Sequence, residues 1–137
     1  MDKMVSGLLR NPLVLTIARV LIAGPFVMAG AFKAMDLGST AGYIANGSAA
    51  FTLPFATLLA ILVIIVEIGG GFLVILNRQF AAVAALVLAA FCLFTGVFYH
   101  LMPADIASLG DQMNQNVAMK NFAWAGGLIG MAALAKR

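Results

Sequence analysis

Residues 61–76, ILVIIVEIGGGFLVIL, place one carboxylate, Glu67, inside an otherwise unbroken apolar run, with three glycines at 69–71 directly after it. A run of this length and character reads as a helix in hydrocarbon, where a charge is costly and needs a partner or a cavity to face. The rest of the chain agrees. Of its 137 residues 64% are hydrophobic and 9% charged, with a mean hydropathy of +1.07, against about 25% charged residues in soluble domains. The polar surface is too small to cover a soluble core. An all-α integral membrane protein with a single domain over residues 1–137 is expected.

Hydropathy predicts four spans, at about 13–32, 52–76, 80–101 and 117–135, each long enough for the ~30 Å hydrocarbon layer. The first could also be read as a signal peptide, with Lys3 and Arg10 as its charged region and the AGA at 29–31 as cleavage site. Arg19 inside the apolar stretch and the length of that stretch favour a retained helix. Lys3, Arg10, Arg78, Lys136 and Arg137 then fall on one side, which the positive-inside rule makes cytoplasmic, with both termini there. This predicts a bundle of four membrane-spanning helices with both termini in the cytoplasm.

The outer connections are longer than simple turns. In MDLGSTAGYIANGSAA (35–50) a short interfacial helix is expected, capped by Ser39 or Thr40 and ended by Asn46-Gly47. In MPADIASLGDQMNQN (102–116) a second is expected to open at Pro103 and pass into a polar linker. The NGS at 46–48 matches a glycosylation acceptor by chance.

Several functions are excluded or weakened. A net charge of +3 without a basic stripe gives no nucleic-acid surface. The lone cysteine, Cys92, permits no intrachain disulfide and reads as a small core residue. A lone histidine, His100, excludes bis-histidine haem ligation within the chain, and no metal site is expected. The glycines at 69–71 lie within a span rather than after a strand, so they are no nucleotide-binding loop. They, and the Gly126/Gly130 pair, read as helix-packing positions.

At about 100° per residue, Arg19, Ala23, Phe26, Gly30 and Lys33 share one face of the first span. Ala56, Ala60, Glu67, Gly71 and Arg78 share one face of the second. Depth from the cytoplasmic edge suggests a buried Glu67–Arg19 pair that fixes helix register. The alternative is that Glu67 serves as a proton acceptor or ligand contact, and one residue can do both. At the outer end, Lys33, His100, Lys120 and Asn121 fall at one depth on three helices, with Trp124 one turn further along. They are candidates for a ligand pocket; as isolated residues they would be interfacial anchors.

FKAMD (32–36), VEIGGGFLVILNR (66–78), FYH (98–100) and MKNFAWAGGLIGM (119–131), in this order and spacing, resemble the DoxX family of small four-helix membrane proteins. The resemblance spans about residues 15 to 134. It implies a four-helix bundle with a glutamate in the second span and a Lys-Asn pair opening the fourth. It also implies an association with quinone-coupled redox systems in membranes. The expected function is therefore to bind a quinone or similar amphipathic molecule between helices, with no covalently bound cofactor and with electron transfer by a partner protein. The chain would then be a subunit of a quinone-linked oxidoreductase rather than an enzyme by itself. Two other readings stay open: a non-catalytic subunit packed against a larger membrane complex, and a small transporter or proton-conducting protein.

Overall fold

The computed structural model describes residues 2–105 and 112–135. Helix α1 (Asp2–Leu9) leads through Arg10 and Asn11 into α2 (Pro12–Met35), followed by α3 (Leu37–Asn46), α4 (Ala56–Leu76), α5 (Ala81–Thr95) and α6 (Gln112–Ala133). A π-helical segment, Gly96–Leu101, continues α5 without a break. The fold is all-α, as expected. Three stretches are long and apolar enough to cross a membrane: Pro12–Met35, Ala56–Leu76 and Ala81–Leu101. The fourth predicted span differs. Helix α6 starts five residues earlier than expected, and its first turns carry Asn114, Gln115, Asn116, Lys120 and Asn121, so it lacks the apolarity of the other three.

Helix α2 begins where elementary rules place it. The Asn11 side chain accepts the Leu13 N–H at 2.9 Å, and Pro12 occupies the first helical position, where its missing donor costs nothing. Helix α1 was not foreseen from the sequence. Met4, Val5, Leu8 and Leu9 lie on one side of it and all are exposed, as are many apolar residues of α2 and α4, a distribution suited to lipid rather than water. Helix α3 is capped by Asp36, not by Ser39 or Thr40. The Asp36 carboxylate accepts the Ser39 N–H at 3.0 Å, a bond that holds its pKa below the usual carboxylate range. The helix ends at Asn46 as expected, with the Gly47 N–H donated to Tyr43 O.

Between α4 and α5 the chain turns within four residues, and Asn77 and Phe80 adopt left-handed backbone conformations. The two outer connections meet: Ala49 N–H donates to Met102 O at 2.9 Å and Ala104 N–H to Gly47 O at 3.1 Å. This bridge occupies Pro103, where a short helix was expected to open; residues 106–111 of that expected element lie outside the described residues.

The faces read from the sequence are the buried ones. Arg19, Ala23, Phe26 and Gly30 are buried on α2, and Ala60, Glu67, Gly71 and Val74 on α4. An alanine-rich face of α5 (Ala81, Ala84, Ala85, Ala89), with Cys92 beside it, lets its neighbours approach around Leu88 and Leu128, the largest fully buried side chains. A Cβ on Gly30 would lie 2.6 Å from Ile68 Cγ1, and one on Gly71 2.7 Å from Val27 Cγ2 and 3.1 Å from the Ala23 carbonyl oxygen. Helices α2 and α4 thus pack glycine against helix at two levels. A Cβ on Gly126 or Gly130 would meet nothing within 4 Å among the described residues; Gly127, between them, lies against Ile22.

Candidate functional site

The glycine contacts set the axial offset between α2 and α4, and that offset chooses the partner of Glu67. Gly71 lies at the level of Ala23, and Gly30 at the level of Glu67 and Ile64. Arg19 is eleven residues, about 16 Å, below Gly30 along α2. Lys33 is less than one turn above it. Side chains on a helix lean toward its N-terminus, so the Lys33 stem runs back to the level of Glu67.

The ammonium donates to both carboxylate oxygens, at 2.6 and 2.7 Å. Glu67 is therefore paired with Lys33 and not with Arg19. Its side chain is 3% exposed and that of Lys33 32%. Arg19 is buried, and makes no hydrogen bond or ion pair among the described residues.

This pair lies on the wall of a cavity of about 720 Å³, bounded by α2, α3, α4, the α5–π segment and α6. Its walls are mainly apolar and aromatic, among them Phe26, Phe91, Phe94 and Trp124, with Pro25 on the α2 side. Phe26 and Trp124 meet at the base, their ring centroids 5.9 Å apart. Toward the outside the cavity is roofed by α3 and the 47–55 loop. Phe51 stacks on Phe94 and Phe98, and the Tyr99 hydroxyl donates to Ile44 O at 2.6 Å.

The residues proposed from sequence divide. Lys33, His100, Asn121 and Trp124 line the cavity; Lys120 does not, and is exposed. Lys120 and Asn121 are successive residues about 100° apart on the helix, so only one of them can face inward. Gly96 makes room for Asn121: a Cβ there would lie 3.3 Å from Asn121 Cβ and 2.8 Å from the Phe122 ring.

His100 sits in the π-helical segment, and wide turns of this kind are frequent at functional sites. Its ring is hydrogen-bonded by Asn114, while its Nδ1 is enclosed and has no hydrogen-bond partner among the described residues. Sequence reading missed Thr40, Tyr43 and Thr95 as wall residues. Tyr43 and Thr40 sit on a helix whose rotation no periodic signal revealed.

The DoxX family profile matches residues 14–101, which cover the first three spans, α3 and the Lys33–Glu67 pair. The chain belongs to the DoxX family. No curated protein and no solved structure matches it. The family match ends at Leu101, so the α6 contribution to the cavity, Asn121 and Trp124, rests on the geometry of this DoxX protein alone.

Proposed function

We propose that this DoxX protein holds a quinone, or a similar amphipathic small molecule, among its helices in the bacterial cytoplasmic membrane, serving a redox system whose electron transfer is done by a partner. The observation that carries this reading is the cavity itself. Its volume falls in the range of small-molecule sites, about 300–1,000 Å³, and it has the expected apolar walls with a few convergent polar groups.

Trp124 is the only tryptophan and lies in the cavity wall, so its fluorescence reports occupancy directly. Titration with a decyl-substituted benzoquinone should quench it saturably. Asn121→Leu should weaken binding about 3- to 10-fold, the worth of one neutral hydrogen bond. The His100 ring nitrogens are enclosed or bonded to Asn114, so His100→Leu should weaken binding only through the altered wall. Lys120→Met should bind as the wild type does. Equal affinity in all four proteins, or no saturable quenching, would reject the site.

The four-span topology belongs to the same proposal. Helix α6 is 22 residues long, about 33 Å, and it buries Ala118, Ala125 and Leu128 against the bundle. Reporter fusions after Arg78 and at the C-terminus should read cytoplasmic, and one at Asn46 external. An external C-terminus would end the four-span reading.

A second reading has an observation of its own. Gly126 and Gly130 face away from the bundle with open space around them, a surface that lets another membrane helix approach closely. In that reading the chain packs against a larger membrane complex. Its isolation in fixed stoichiometry with a large partner, without bound small molecule, would favour it.

A further inference from the structure

Lys33 and Glu67 are the only carboxylate or ammonium groups on the cavity wall among the described residues, and they neutralise each other. Two contacts of the Lys33 ammonium are committed to Glu67, which leaves it one further N–H. Three of the wall's hydroxyl donors are already in use. Thr95 donates to Phe91 O at 2.9 Å, Thr40 to Asp36 O at 2.9 Å and Tyr99 to Ile44 O at 2.6 Å. What remains for an occupant is the third Lys33 donor, the Tyr43 hydroxyl and the Asn121 amide; the His100 Nδ1 is enclosed and out of reach.

An anion brought into this space meets no free cation. It must stay unpaired against a mainly apolar wall, or pull Lys33 away and strand the buried Glu67 carboxylate; both are unfavourable. A neutral group with an acceptor oxygen takes the spare N–H and leaves the pair intact.

We infer that the Lys33–Glu67 pair is a charge filter: the cavity takes amphiphiles with an uncharged, acceptor-bearing headgroup, such as a carbonyl, and refuses permanently anionic ones. This rests on the cavity being a ligand site, and it narrows the occupant to one headgroup class. Glu67 sets the selectivity by occupying Lys33. If that carboxylate is removed, the same wall presents an unpaired ammonium and the preference for charge reverses.

The experiment is a competition against the Trp124-quenching decyl benzoquinone in detergent-solubilised protein. The competitors are 2-dodecanone, neutral, and decanesulfonate, which carries a charge no proton removes. In the wild type the ketone should displace the quinone, and the sulfonate should need roughly 100-fold higher concentration or more. In Glu67→Gln the sulfonate should gain at least about tenfold. Should Glu67→Gln fail to fold, the wild-type comparison decides alone. Displacement by the sulfonate as readily as by the ketone in the wild type overturns the filter and leaves the cavity standing as a ligand site. Absence of any saturable Trp124 quenching overturns the cavity and the filter together.

Discussion

Replacing Lys33 alone by methionine should destabilise the fold by about 3 kcal/mol, while Lys33→Met combined with Glu67→Leu should cost much less. The single change leaves a carboxylate that is 3% exposed without the ammonium that both its oxygens accept from. The double change removes the charge with its partner and leaves an apolar contact between α2 and α4. The two single variants should also differ. With Glu67→Leu the remaining lysine is already partly exposed and can extend toward the outer interface, where a long cationic side chain is tolerated. Glu67→Leu should therefore be the milder single change. Unfolding in mild detergent by a graded denaturant measures all three. A double variant as damaged as the sum of the singles would refute the coupling.

Gly71→Leu should be about as damaging, near 3 kcal/mol at the upper end of the usual overpacking range, whereas Gly69→Leu should stay within about 0.5 kcal/mol of the wild type. The three consecutive glycines look equivalent as letters, but their surroundings differ. A Cβ on Gly71 meets the Ala23 carbonyl oxygen at 3.1 Å, a backbone atom that moves only if α2 moves. On Gly70 it meets the Leu88 side chain at 3.3 Å, which can give way, and on Gly69 nothing within 4 Å. Thermal denaturation of the leucine series should order them 71, 70, 69. Comparable loss at 69 and 71 would contradict the α2–α4 packing.

Periodicity made the inward faces of α2 and α4 legible, because a 3.6-residue repeat of small and polar residues among Val, Ile and Leu has one interpretation. It did not identify the partner of Glu67. Arg19 and Lys33 share that face, and choosing between them requires the axial offset of two helices, which the close contacts at Gly30 and Gly71 determine. Depth counted from flanking arginines was too coarse by several turns. Lys120 failed for a related reason: common depth does not fix rotation, and its neighbour Asn121 took the inward position. Asp36 could have been read as the α3 cap, since it stands three residues before Ser39 at the end of a span. The π-helical segment at 96–101 had no signal in composition. His100 falls with Lys33 and Asn121 at the outer end by depth, and the structure adds that its ring lines the cavity from a π-helical turn.

The cavity also bears on how long the molecule survives in a cell. The wall of a cavity of some 720 Å³ offers its atoms to a guest for dispersion contacts. Anything that fills the space and binds only the folded chain adds stability by mass action, about 2.7 kcal/mol at a hundred times its dissociation constant. Differences of that size change the fraction open to quality-control proteases, and so change steady-state abundance several-fold. If the cavity takes a ligand, the amount of this protein would be tied to that ligand's supply: scarcity would shorten its lifetime and plenty extend it.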